Sequence, residues 1–274
     1  MLPVYKATKF IQILELGGHT KPWLIEVEVE NSAKMYVIKV YSTQQIESRN
    51  CVTAEVIGNI LAQSFDLYAP DAALIDISDA DFQMSLSPNA HFLLESNKID
   101  ERIKFGTEYI PDCKKADIDI PKEIYENSLE LDTLYAFDNF IRNEDRGQSK
   151  TNLLIHNETQ EIWLIDHEFA LQDINAENLQ KMLQGIENEE WRATFTRYHF
   201  AYFFLKNENP KVKSHYFRTF LEYLRYLDLS KLKSYFRQLE SFDYDTESES
   251  ILEYLTFIKN NPTLFLNILQ QSLQ

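Results

Sequence analysis

The chain opens with runs that alternate apolar and polar residues, and from about residue 122 onward its apolar positions recur at helical intervals instead. Residues 9–16 alternate imperfectly and residues 23–29 alternate well. Residues 35–41 follow a polar turn at 31–34, and the three runs together predict an antiparallel meander. Between 49 and 65 the period changes: apolar residues at 52, 56, 57, 60, 61 and 65 predict a helix that stops near Tyr68-Ala69-Pro70. Residues 72–77 read as a further strand, residues 79–104 fit strand or helix, and residues 105–110 read as a short extended connector closed by Pro111. Beyond it, helical spacing covers 131–142, 191–205, 216–227, 232–239 and 251–258, with breaks expected at Pro210 and Pro262. The acidic stretch 240–249 reads as a solvated loop. The fold class expected is α+β in two lobes: a β-rich N-lobe with one helix over residues 1–104, and a mainly helical C-lobe over 105–274.

Composition narrows the class without naming a chemistry. A chain of 274 residues that is 44% hydrophobic and 13% aromatic can build a substantial core, which excludes global disorder. Its formal charge of -16 argues against direct binding to nucleic acid or to an anionic membrane, since both rely on clustered Lys and Arg. Cys51 and Cys113 form no C-x-x-C pair, and the 6 histidines show no zinc-binding spacing, so reduced thiols and no structural zinc are expected. With no signal-peptide pattern and no long apolar run, the expected setting is the cytoplasm.

The candidate chemistry lies between residues 131 and 168. The helical run ends in a polar loop carrying Asp145 and Asn152. Two short apolar runs follow, 153–155 and 162–165, separated by a polar turn, and the second ends on Asp166. A hairpin there would return Asp166 beside Asn152, with Asp145 at the mouth. Phosphoryl transfer asks for a carboxylate near the attacking hydroxyl, hard oxygen ligands for Mg2+, and cations on the phosphates. Lys39, in the middle of an apolar run, is expected to need a partner, and Glu55 on the next helix is the candidate. Gly17-Gly18 fits a loop whose backbone approaches phosphates closely, although a simple hairpin turn fits equally well.

Lys39, Glu55, Asp145, Asn152 and Asp166 in this order give the chain a likeness to protein-kinase-like folds, and it resembles the HipA-like kinases in particular. The resemblance is carried by Tyr36-Val-Ile-Lys-Val40, by Glu55-Val-Ile-Gly-Asn-Ile-Leu-Ala62 leading to Tyr68-Ala-Pro70, by Phe105-Gly-Thr-Glu-Tyr109, by Arg142-Asn-Glu-Asp-Arg146 before Asn152, and by Leu164-Ile-Asp-His167. It implies ATP with Mg2+, a nucleotide site between the lobes, and transfer to a Ser or Thr hydroxyl or a related one. Carried over residue by residue, Lys39 would contact the phosphates and Glu55 would orient it. Asp145 would be the catalytic base, and Asn152 and Asp166 the metal ligands. The backbone of Glu108, Tyr109 and Ile110 would meet adenine.

The pattern departs from the family in three places. Asn152 follows Asp145 by more residues than is usual, so Gly147 to Thr151 read as an insertion. Asp166 is followed by His167-Glu168 where a Phe-Gly type pair is usual, and the chain is expected to lack an extra N-terminal subdomain. His167 is expected to pack rather than to ligate. The acceptor is a protein or small molecule of unknown identity, and a regulatory protein partner is a further expectation. The rival readings are a pseudokinase or nucleotide-binding interaction module, and a small-molecule phosphotransferase of the aminoglycoside type.

Overall fold

The computed structural model describes residues 1–14, 21–96, 99–117, 119–189 and 197–274. They form a mixed α+β protein, rich in β-structure toward the N-terminus and helical toward the C-terminus. Two compact units divide the chain: Met1–Val56, Pro70–Pro111 and Ser234–Thr246 in the first, and Ile57–Ala69, Asp112–Lys233 and Glu247–Gln274 in the second.

In the first unit the expected antiparallel meander forms, and two further strands close it into a barrel. Strands β1 (Val4–Ile13), β2 (Trp23–Val29), β3 (Ser32–Ile38), β4 (Ala72–Asp76) and β5 (Lys104–Glu108) follow the order β1-β2-β3-β5-β4. β1 closes the ring by pairing in parallel with β4, Val4 opposite Leu74 through Lys6 opposite Asp76. That pairing explains why β1 begins at Val4 rather than residue 9: the partner of its first residues lies some seventy positions away, outside any local pattern. The imperfect alternation of β1 has a cause as well. Register shifts between Ala7 and Lys9, and between Phe10 and Gln12, insert bulges, so the inward residues Ala7 and Phe10 fall three apart. The expected connector at 105–110 is instead β5, paired with β3 on one side and β4 on the other. Its Lys104, Phe105 and Gly106 are all buried, and a strand covered on both faces shows no alternation.

Lys39 also moves relative to expectation. β3 ends at Ile38, and Lys39 follows it, its N–H donating to the Phe105 carbonyl at 3.4 Å. The expected helix 49–65 is two helices, Thr43–Arg49 and Cys51–Ser64, parted at Asn50, whose φ of 50° is left-handed. Asn tolerates that region better than most residues. Ser42 starts the first of them with a capping box: its side chain accepts from the Gln45 N–H, and the Gln45 side chain accepts from the Ser42 N–H. The ambiguous stretch 79–104 resolves mainly into helices Ala80–Met84 and Pro88–Ser96 ahead of β5.

The acidic stretch 240–249 is not a plainly solvated loop. Tyr244 and Thr246 are buried, and the Tyr244 hydroxyl donates to the Ile103 carbonyl at 2.5 Å. Arg102 lies 4.7 Å from the Tyr244 ring centroid, forms two hydrogen bonds with the Asp100 carboxylate and donates to the Asp243 carbonyl. One aromatic among many acids is enough to dock the segment, because its ring supplies apolar area and its hydroxyl finds a carbonyl.

In the second unit a sheet of β6 (Cys113–Lys115), β7 (Leu153–His156) and β8 (Ile162–Leu164) accompanies helices packed around aromatic side chains. Phe65 sits 5.0 Å from Phe220, 5.5 Å from Phe137 and 5.6 Å from Phe140 between ring centroids. Arg218–Tyr226 and Ser248–Asn260 of this unit, and Leu232–Glu240, which lies mainly in the first unit, follow the expected helical spacing. Of the run 191–205, Phe200–Lys206 is helical and 191–196 lies outside the described residues. Pro210 and Pro262 each stand at the first turn of a helix, where a missing N–H costs nothing. Among the described residues no helix is long and apolar enough to cross a membrane.

Gly106 shows how tightly the barrel is filled. A Cβ there would lie 2.9 Å from Ile38 Cγ2 and 3.0 Å from Ile75 Cγ1. Gly106→Val is expected to cost about 1–3 kcal/mol by overpacking, read as a lower urea midpoint with an unchanged slope; an unchanged midpoint would mean that the interior has room.

Candidate active site

The polar loop begins at a fixed point. Helix Leu131–Phe140 ends in a Schellman motif: Arg142 takes φ 52°, its N–H donates to the Asn139 carbonyl, and the Asn143 N–H donates to the Asp138 carbonyl at 2.8 Å. The same Asp138 then anchors the loop through its side chain. Its Oδ2 accepts from Arg146 Nε at 2.7 Å and from His199 Nε2 at 2.8 Å, and its Oδ1 accepts from Asn143 Nδ2 at 3.0 Å. Asp138 and Arg146 have no side-chain exposure. Burial pushes the Asp138 carboxyl up, but Arg146, His199 and Asn143 outweigh it and hold the group below its ordinary value.

His199 is a neutral member of this set. Burial lowers its pKa, and the Asp138 carboxylate offsets this only in part. Its Nδ1 accepts from the Ala201 N–H at 3.1 Å, which leaves Nε2–H to donate to Asp138. Arg146 extends the anchoring forward, with Nη1 donating to the Thr151 carbonyl at 3.1 Å and the Asn152 carbonyl at 2.7 Å. Gly147 bridges to His199, the Phe200 N–H donates to the Arg146 carbonyl, and the Thr151 hydroxyl donates to the Ala116 carbonyl. The stretch that reads as an insertion is therefore tied at both ends.

The hairpin forms as the apolar runs predict. Leu153 pairs with Leu164, and the Ile165 N–H donates to the Asn152 carbonyl at 3.1 Å, which brings Asp166 back to the start of β7. Asn152 Nδ2 donates to the Asp145 carbonyl and to Asp145 Oδ2, both at 3.1 Å. Asn152 and Asp166 both have left-handed backbones, with φ of 51° and 63°. Asn and Asp enter that region more readily than other side chains, and each still spends about 1 kcal/mol there. Lys150 joins the two acids: its ammonium pairs with Asp145 Oδ2 and lies 3.6 Å from Asp166 Oδ2. Burial lowers the Lys150 pKa, but Asp166 and Asp145 raise it further, so the side chain stays charged. Asp166 and the buried Glu168 present carboxylate oxygens within 4.8 Å of each other.

His167 between them is buried and packs against Gly58, where a Cβ would fall 2.6 Å from His167 Cβ. In the first unit, Lys39 Nζ pairs with Glu55 Oε1, and the Tyr41 hydroxyl donates to the same oxygen at 3.2 Å. Glu55 is 2% exposed, so its charge is held by these partners rather than by water. Glu108 pairs with Lys34 at 2.9 Å. The Glu108 N–H donates to the Asp71 carbonyl and the Tyr109 N–H to the Met35 carbonyl, both at 2.8 Å, so two amides of the stretch Glu108, Tyr109, Ile110 are engaged within the barrel. Gly17 and Gly18 lie outside the described residues.

Sequence reasoning missed Asp138, Arg146, Lys150 and His199. Asp138 did carry a signal, since it falls on the face of the helix shared by Leu134 and Ile141, where an acid needs a buried cation. His199 carried none, being separated from the loop by fifty residues.

A capped helix, a loop bearing Asp and Asn, and a hairpin that ends on a second Asp bring together the carboxylates and hard oxygen donors that phosphoryl transfer asks for. Residues 10–200, well over half of the chain, match the family model described as HipA-like kinase, and the chain belongs to that family. Among solved structures, the crystal structure of a Helicobacter pylori proinflammatory kinase, CtkA, is similar over 97% of this chain and 97% of that one, at 14% identity and a TM-score of 0.49. No curated protein matches the sequence.

Two measurements test the buried anchor. Arg146→Leu leaves Asp138 charged without its main cation and is expected to cost about 3–5 kcal/mol, read by urea denaturation. The pH dependence follows from the two lowered pKa values. The unfolded His199 takes up a proton below its ordinary 6.5 while the native one resists, so stability falls as pH drops from 7.5 to 5.5. The Asp138 share is complete above its ordinary 3.8 and is lost only in stronger acid. His199→Gln keeps a donor but cannot titrate, and should flatten the fall between pH 7.5 and 5.5; an identical slope in the variant would remove His199 as its source.

Proposed function

We propose that this chain is an ATP- and Mg2+-dependent kinase that phosphorylates a Ser or Thr hydroxyl of a protein. The observation that supports this most is the convergence of Asp145, Asn152 and Asp166 at one end of the hairpin, with Asn152 bonded to Asp145 and one ammonium reaching both acids. These are hard oxygen donors of the kind magnesium prefers, so the side chains present fit the ion. Asn152 and Asp166 would hold it, with Glu168 beside them, and the bound ion would neutralise charge on the transferring phosphoryl group. Asp145 accepts or orients the proton of the attacking hydroxyl. Lys39, paired with Glu55, would meet the nucleotide phosphates as a point charge. The adenine contact falls to the backbone of the Glu108-Tyr109-Ile110 stretch, where the Ile110 amide and the carbonyls are the candidates. We place the protein in the cytoplasm and a regulatory protein among its partners.

The test is a thermal shift with ATP and MgCl2 against ATP and EDTA, on the wild type and on Asp166→Asn, followed by transfer of labelled phosphate. A metal-dependent rise lost in Asp166→Asn is expected, and Asp145→Asn should lower transfer by roughly 10²–10⁴-fold while leaving that rise in place. Nucleotide binding with no transfer in the wild type would instead favour a pseudokinase.

A further inference from the structure

We propose that Lys150 is an internal counterion that bridges Asp145 and Asp166 and competes with the divalent cation for Asp166, so that the ion enters only as the ammonium leaves. The inference rests on the kinase reading of those two acids and goes beyond it, because it gives the extra loop residues a task.

Three observations carry it. The ammonium contacts Asp145 Oδ2 and lies 3.6 Å from Asp166 Oδ2, so it occupies space beside the Asp166 carboxylate that would serve a cation. Asn152 Nδ2 donates to that same Asp145 oxygen at 3.1 Å, so Lys150 stands among all three candidate residues. Its position is also built rather than incidental. The Lys150 ammonium lies 5.9 Å from the Phe169 ring centroid, and the loop that carries it is pinned on one side by the Gly147 bridge to His199 and on the other by the bonds of Thr151.

The physical consequence follows from charge. Two carboxylates held this close repel each other unless a cation lies between them, and the protein supplies a univalent one from its own chain. A divalent ion satisfies Asp166 more strongly, but it cannot share that carboxylate with an ammonium, because like charges repel. The anchored backbone need not move for the exchange. Lys150 is 38% exposed, and its flexible four-carbon stem can swing the ammonium into water. The exchange therefore lowers metal affinity in the resting protein without weakening the loop.

The experiment measures binding of MnCl2 without nucleotide, by the electron paramagnetic resonance signal of free Mn2+, for wild type, Lys150→Met, Lys150→Gln, Lys150→Arg and Asp166→Asn. Thermal stability of each is measured in parallel without metal. Loss of the ammonium should tighten Mn2+ binding roughly tenfold in Lys150→Met and Lys150→Gln, and leave it near wild type in Lys150→Arg. The two neutral variants should also melt earlier than wild type without metal and gain more from it. If Lys150→Met does not fold, Lys150→Gln carries the comparison. Equal or weaker Mn2+ binding in the neutral variants, with binding lost in Asp166→Asn, overturns the counterion and leaves the kinase reading standing. No Mn2+ binding in wild type or any Lys150 variant overturns the counterion, and the thermal shift with ATP and MgCl2 then decides the kinase reading separately.

Discussion

A carboxylate without access to water organises the second unit. Asp138 sits in the last turn of its helix, and a buried charge of that kind persists only when its lone pairs are filled. The residues that fill them, Asn143, Arg146 and His199, come from the loop itself and from a segment fifty residues further along. Satisfying one acid thereby fixes the loop at its start, its middle and its return. Arg146 transmits the constraint to the carbonyls of Thr151 and Asn152, so the position of Asn152 depends on Asp138 as much as on the hairpin that follows it.

The same logic runs through the first unit in a different form. Glu55 is nearly as inaccessible as Asp138, and it is met by Lys39 and Tyr41 from the chain just beyond β3. Lys39 directly follows Ile38, the last residue of β3, and its ammonium reaches the helix that carries Glu55. In both units a helix carries a buried acid and a loop supplies the cation. The polar residues are thereby held by interactions that are costly to break, while Asp145, Lys150 and Asp166 remain partly exposed and able to exchange partners.

The extra residues between Asp145 and Asn152 look from sequence alone like a disturbance of the loop. Folded, they are an ordered detour, bonded to Ala116, Arg146 and His199, that returns Asn152 to Asp145. A longer loop costs little in closure entropy when both ends are tied, since that cost grows only with the logarithm of length.

Local periodicity determined a good deal of this protein. The helix that ends at the polar loop, the hairpin that returns Asp166 to Asn152, the pairing of Lys39 with Glu55 and the helical C-terminal run all follow from apolar spacing and from the cost of an unpaired charge, both of which act within a few residues or between neighbouring elements. The closure of the barrel was decided by tertiary structure, because β1 and β4 meet across some seventy residues and β5, buried on both faces, has no alternation to read. His199 belongs to the same category: nothing near it in the chain announces that it will donate to Asp138. Lys150 does too, since a lysine in a polar loop is unremarkable until folding sets two carboxylates around it. Sequence specifies which residues need partners; only the folded chain, by bringing distant segments into contact, decides which partners they get.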